Sequence, residues 1–336
     1  MDSLTQLALG AAVGEATAGR QVGRRALLWG AILGTLPDLD VFIPLGDAVR
    51  DFTYHRSASH SLLVLAVLTP LMVWLILKFH PTTAEHRKRW FLLVYLVFAT
   101  HVLLDSFTVY GTQIFWPFIT TPMTWSTIFI IDPMYTVPLL LGTLAALIVA
   151  RDKTWGHTAN TTGLVLSSAY LIWTLGAKMH VEQVAHRMLQ QQNIATTAVL
   201  TTPTPFNSLL WRILAVDDAH YYEGFYSVLD EEPKIRFKRY PHMRELIEPL
   251  HDSWPVQRLQ WFTKGFYAAA LKDRNIIVTD LRMGFEPEYV FRFKVGEMSN
   301  PHPRPAPVEQ QPGIRNYDRL RWVWARIWEA QARSLE

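Results

Sequence analysis

The chain of 336 residues contains no cysteine. That removes disulfides, thiolate metal ligands and a cysteine nucleophile together, and leaves imidazole, carboxylate and hydroxyl groups as the available site chemistry. It does not assign a compartment. Charge is scarce as well: 18% of residues are Asp, Glu, Lys or Arg, against 50% hydrophobic. The net charge of +3 is too small to argue for a nucleic-acid partner. The scarcity becomes complete in places. Residues 62–77, 91–100, 134–150 and 160–177 carry no charged side chain. With its flanks, each run approaches the ~20 residues needed to cross ~30 Å of hydrocarbon. Four such runs in succession imply an integral membrane protein. The opening "MDSLTQLALGAAVGEATAGR" lacks a basic start and holds Glu15 within its apolar stretch, so it does not read as a cleaved signal peptide.

Two shorter apolar helices are expected at 4–18 and 25–36, ahead of the four runs. The expected architecture is an α-helical polytopic membrane domain of about six helices (1–180), followed by a smaller α+β soluble domain (181–336). Lys and Arg of short loops stay on the cytoplasmic side. Arg20, Arg24, Arg25, Lys78, Arg87, Lys88, Arg89, Arg151 and Lys153 fall in alternate loops; the opposite loops hold only Arg50 and Arg56. This threading places Met1 and the residues after about Lys178 outside the cytoplasm. A re-entrant hairpin is the alternative for the first two helices.

The same threading gathers the metal-competent residues near one membrane surface. Asp38 and Asp40 lie in "PDLD", at the end of the second helix. His55 and His60 lie in "YHRSASHS", just before the run at 62–77. His101 and Asp105, four apart in "HVLLD", share one helix face. Each piece has a plainer reading: a helix cap for the aspartates, a buried ion pair for His101 and Asp105, a capping turn for the serines. Six N and O donors on one face are harder to explain that way. They suit Zn²⁺, Mn²⁺ or Fe²⁺, as one or two ions, with some donors orienting others. Arg56 and Asp40 are the expected catalytic pair, Arg56 through its fork of donors for a phosphate or carboxylate. Asp132 reads as a helix cap.

The stretches "MDSLTQ", "GTLPDLD", "YHRSASHS" and "HVLLDSFTVYGTQIFWPF" resemble the YdjM family of bacterial inner-membrane proteins, named as membrane-bound metal-dependent hydrolases. The resemblance covers roughly residues 1–150. It rests on P-D-[IL]-D at 37–40, H-R-x-x-[ST]-H-S at 55–61, H-x-x-x-D at 101–105 and T-x-x-G at 108–111. It implies a multi-pass inner-membrane location and metal-dependent hydrolysis. Shorter members carry a histidine near the position of Gln6, so the resemblance also leaves the ligand count of this chain in question.

The expected function is therefore attack of a metal-activated water on an ester or phosphoester, with the bilayer as partner and a lipid or lipid-linked molecule as substrate. A membrane scaffold or regulator, or a transporter with a polar cluster, is the alternative. Beyond Lys178 the sequence predicts a hairpin or meander turning near Asp217 and Asp218, and strands in "NIIVTDLRMG" and "EYVFRFKVG". "NPHPRPAPVEQQPG" is expected to be extended or disordered, and residues 317–336 to form an amphipathic helix with a tryptophan stripe.

Overall fold

The computed structural model describes residues 1–149, 154–300, 302–313 and 317–330. The chain forms two compact units, Met1–Phe42 with Arg56–Leu175, and Ile43–His55 with Gly176–Glu336. The short segment at 43–55 thus packs with the C-terminal half of the sequence.

The first unit begins with α1 (Ser3–Val22), whose N-cap Asp2 accepts hydrogen bonds from the Leu4 and Thr5 amides, both at 3.1 Å. A single residue, Gly23 at φ +69°, turns the chain into α2 (Arg24–Thr35). Glycine takes this left-handed conformation without the steric cost another residue would meet. The resulting hairpin is unusually close. A Cβ on Gly10 would stand 2.2 Å from the carbonyl oxygen of Gly30, and one on Gly14 2.3 Å from that of Ala26. Gly10/Gly14 and Gly30/Gly34 form two small-residue pairs at a spacing of four, the pattern by which membrane helices bring their backbones together.

The chain next passes through α3 (Ala48–Tyr54), which belongs to the second unit. Back in the first unit, Ser61 caps α4 (Leu62–Phe79), accepting from the Val64 amide. Then come α5 (Arg87–Ser106), α6 (Pro133–Ile148) and the first part of α7 (Thr154–Gln191). Asp132 caps α6 through the Met134 amide at 3.1 Å. α5 is the innermost of these helices, with Trp90, Leu93, Val94, Val97 and Phe98 buried. α6 and α7 make a second close hairpin: Gly142 meets Ala159 and Asn160, and Gly163 meets the Pro138 carbonyl. Asn160 ties α7 to the Ala12 carbonyl of α1 at 2.9 Å.

Six helices follow one another in the expected order. Three of them are long and apolar enough to cross a membrane: α4, α5 with its preceding turn (Pro81–Ser106), and α7; α6 is a shorter apolar helix. α1 and α2 are instead rich in glycine and alanine.

The second unit is sheet-rich. β1 (Ala198–Pro203), β2 (Leu210–Val216), β3 (His220–Ser227) and β4 (Lys238–Pro241) form an antiparallel meander. Its β2–β3 turn holds Asp217 and Asp218. α8 (Trp254–Thr263) precedes β5 (Tyr267–Lys272) and β6 (Asn275–Asp280). After a two-stranded ribbon of β7 (Gly284–Phe285) and β8 (Glu288–Tyr289) come β9 (Arg292–Glu297) and β10 (Arg304–Gln311), giving a second sheet of order β10-β9-β6-β5. The proline-rich segment is therefore an ordered edge strand, the position where proline's missing N–H costs least. α9 (Tyr317–Trp328) lays Val323 and Ile327 on Leu210, leaving Trp324 and Trp328 exposed. The helix expected to run to 336 ends at Trp328; Glu329 and Ala330 are not helical, and 331–336 lie outside the described residues. α3 is held in this unit by Phe52, whose ring lies 4.8 Å from Phe262 and 4.4 Å from Phe291, and by the Arg258 bond to Thr53 at 2.9 Å.

Gly30→Ala is expected to lower stability by about 1–3 kcal/mol, because its methyl group meets backbone that cannot yield without parting the hairpin. Thermal unfolding of the detergent-purified protein measures this. An unchanged midpoint would show that α1 and α2 are not tightly apposed.

Candidate metal centre

Four of the expected ligands converge from three stretches of chain. Asp38 stands in the 3₁₀ turn Pro37–Phe42 that follows α2. His60 ends the turn Ala58–His60, next to the Ser61 cap of α4. His101 and Asp105 project from one face of the last turns of α5.

Their donor atoms face one another. His60 Nε2 lies 3.1 Å from His101 Nε2, 3.1 Å from Asp105 Oδ2 and 3.2 Å from Asp38 Oδ1. His101 Nε2 is 3.4 Å from Asp105 Oδ2 and 3.7 Å from Asp38 Oδ1. All four groups offer an atom within 4.8 Å of every other. Ligands bonded at about 2.0–2.1 Å in a tetrahedral site stand roughly 3.3–3.4 Å apart. The five separations above bracket that value.

The hydrogen bonds behind the rings decide which nitrogen carries the proton. His101 Nδ1 sits 2.7 Å from the Gly34 carbonyl oxygen, which can only accept, so Nδ1 donates. Ser59 Oγ donates to Asp40 Oδ2 at 2.5 Å and so accepts from His60 Nδ1 at 2.9 Å. Each imidazole, when neutral, therefore turns an Nε2 lone pair inward. Two lone pairs 3.1 Å apart, beside two carboxylate oxygens, repel one another unless a cation lies among them. Asp105 Oδ2 is buried with no hydrogen-bond partner among the described residues. The donor set thus fits a divalent metal ion held by Asp38, His60, His101 and Asp105.

The surrounding residues hold these four in place. Asp105 Oδ1 receives the Gln6 amide at 3.0 Å, pairs with Arg56 Nη2 at 3.3 Å and touches the Met1 amine. Gln6 also donates to the His101 carbonyl at 3.3 Å. It thereby orients the Asp105 carboxylate and the α5 backbone around the centre. Burial works against the Asp38 carboxylate, while the facing His101 and His60 rings, when they carry a proton on Nε2, push its pKa well below the usual range.

Arg56 is 3% exposed, at φ +62°. Its guanidinium reaches Thr108 Oγ1 at 3.2 Å and lies over the Tyr110 ring at 5.2 Å, while its amide donates to Asp40 Oδ2 at 3.2 Å. Asp40 itself stands 3.9 Å from His60 Nδ1 and acts on that ring through Ser59. Its place is behind the histidine, outside the converging set. His55 is the C-cap of α3, belongs to the second unit and is not among the four.

Sequence reasoning reads Ser59 as a capping serine and Thr108 only as part of the T-x-x-G resemblance, and does not find the Gly34 carbonyl. The role of Ser59 was within its reach, since a hydroxyl beside a ligand histidine can relay a carboxylate. Gly34 contributes only backbone, which no residue type advertises. The Asp38 and Asp40 side chains keep 17% and 15% exposure, while those of His60, His101 and Asp105 are at 0–1%. Access is therefore from the 3₁₀ turn. There, Leu39, Val41 and Phe42 are exposed at 49%, 65% and 78%, an apolar lip beside two carboxylates.

Wild-type protein is expected to carry about one divalent ion per chain, and His60→Ala or Asp105→Asn to lose it. Asp40→Asn should weaken metal binding about 10–100-fold through its support of His60. His55→Ala should keep the ion. Metal content by mass spectrometry on folded, detergent-purified variants checks all four, and loss of metal in His55→Ala would contradict the assignment. Both imidazoles must be deprotonated to bind, so protons compete with the ion and affinity should fall as the solution is acidified. Retention unchanged to about pH 5 would argue against histidine ligation.

The family model for the YdjM inner membrane protein matches residues 1–181. The chain is also similar to the uncharacterized protein YfhP of Bacillus subtilis (strain 168), at 27% identity over 252 residues, covering 68% of this chain and 71% of that protein. No solved structure matches. The family match spans the close helix hairpin and all four converging side chains, and on that match the chain belongs to the YdjM inner membrane protein family.

Proposed function

We propose that this protein is a zinc-dependent membrane hydrolase that cleaves an ester or phosphoester in a lipid or lipid-linked substrate. The observation that carries the reading is the inward pairing of His60 Nε2 and His101 Nε2 with Asp38 and Asp105, at the spacing of a tetrahedral centre. A set of two nitrogens and two oxygens without sulfur favours zinc, with manganese or iron as the next candidates. Held there, the metal would acidify a water and polarise the scissile group.

The chain's own groups divide the remaining work. Asp105, His60 and His101 are shielded from water and fixed by Gln6, Ser59 and Gly34. Asp40 acts as a positioning residue. Arg56 keeps positive charge beside Asp105 and is closed off by Thr108 and Tyr110, which suits charge balance within the centre. The apolar lip at Leu39, Val41 and Phe42 supports an acyl or prenyl chain entering beside Asp38. The loop charge pattern supports an extracytoplasmic opening and an extracytoplasmic second unit.

The test is hydrolysis by full-length, zinc-loaded protein in nanodiscs, offered lipid phosphoesters, lipid carboxylic esters and their short-chain soluble analogues. The expected result is turnover of a long-chain substrate in preference to its soluble analogue. It should be abolished by chelator or Asp105→Asn, and lowered in Asp40→Asn at limiting zinc but restored by excess. A metal-replete protein that cleaves none of these would overturn the hydrolase reading.

A further inference from the structure

The bundle carries a second candidate site at the other end of α1. A groove of about 420 Å³ runs between α1 and the start of α7, lined by Arg20, His157, Thr158, Thr161, Val165 and Leu166 among others. Arg20 and Gln6 are fourteen residues apart, so at 1.5 Å per residue this groove lies about 21 Å along α1 from the metal centre.

The chemistry of the groove changes along its length. At one end stand the Arg20 guanidinium and His157, whose Nδ1 is buried without a hydrogen-bond partner among the described residues. That same Nδ1 stands 3.7 Å from Glu15 Oε1, at ion-pair distance. About two turns further along α7, Val165 and Leu166 are 60% and 54% exposed. The intervening threonines are spoken for in one direction only. Thr158 Oγ1 donates to the Thr154 carbonyl at 3.1 Å, and Thr161 Oγ1 to the His157 carbonyl at 3.0 Å. Their oxygens therefore remain acceptors towards the groove. A guanidinium favours a phosphate, hydroxyl acceptors favour a ligand bearing O–H donors, and an exposed apolar wall on a helix able to cross the membrane favours an acyl chain.

We infer that this groove binds an anionic glycerophospholipid whose head-group alcohol carries donors, of the phosphatidylglycerol type. Arg20 takes the phosphodiester, Thr158 and Thr161 accept from the head-group hydroxyls, and Val165 and Leu166 line the upper acyl chain. Arg24 and Arg25, exposed at the start of α2, add to the positive field that draws anionic lipid to this end of the bundle.

Delipidated full-length protein in non-ionic detergent can be titrated with phosphatidylglycerol, phosphatidylcholine or inorganic phosphate, with bound lipid counted by native mass spectrometry. Phosphatidylglycerol should bind more tightly than phosphatidylcholine. Arg20→Ala should weaken it about fivefold, and Arg20→Lys should keep most of the affinity. Thr158→Val with Thr161→Val should narrow the preference over phosphatidylcholine. Equal binding of the two lipids, or no loss in Arg20→Ala, would overturn the inference. Displacement of phosphatidylglycerol by millimolar inorganic phosphate would overturn it too, by showing a site for a free anion. The metal content of each variant separates failure here from failure of the metal centre.

Discussion

Two imidazole nitrogens held 3.1 Å apart, each with its proton on the far side of the ring, set the terms for everything around them. Such a pair is costly to assemble, since the lone pairs and the neighbouring carboxylates repel, and His60, His101 and Asp105 are buried from the water that would screen them. Folding can hold it only by tying down the back of each ring. The tie on His101 is a backbone carbonyl at the end of α2, and the tie on His60 is a serine that leans on Asp40. Neither ring can turn without losing a buried hydrogen bond.

The position of that carbonyl depends in turn on the glycine contacts between α1 and α2. Gly34 lies opposite Gln6, where a Cβ would fall 2.5 Å from the Gln6 carbonyl oxygen. The same close approach therefore places the Gly34 carbonyl behind His101 and the Gln6 amide on Asp105. A helix pair kept about 8–10 Å apart by ordinary side chains would carry one or both groups out of reach. The glycines belong to the metal centre as much as to the packing, although none of them touches an inward-facing donor.

Much of this architecture is legible in the order of residues along the chain. Charge-free runs locate α4, α5, α6 and α7, and single capping residues, Ser61 and Asp132, mark where α4 and α6 start. The spacing of His101 and Asp105 puts both on one helix face. The arrangement of "YHRSASHS" is harder to read, because its two histidines are alike in sequence and differ only in the turn that follows each. His55 ends a seven-residue helix too short to register as a periodic pattern, and that helix packs through Phe52 into the second unit. The proline-rich strand β10 is obscured for a related reason: proline argues against strands in general, yet an edge strand tolerates it. The two four-residue glycine spacings, 10/14 and 30/34, are plain in the sequence and are the signal that would have found the α1–α2 contact.

Charge counting bears on how many ions the centre takes. Asp38, Asp40 and Asp105 bring three negative charges close together, and Arg56 returns one. With both histidines neutral, the side chains fall short by two positive charges, the charge of one divalent ion. A second ion would leave an excess of two in a largely buried site, where uncompensated charge is strongly disfavoured. Ligand number fits the same reading, since the four converging donors could complete one tetrahedral shell. Asp40 is then better placed to steady His60 than to bind an ion of its own, and Arg56 to balance Asp105 than to reach for substrate.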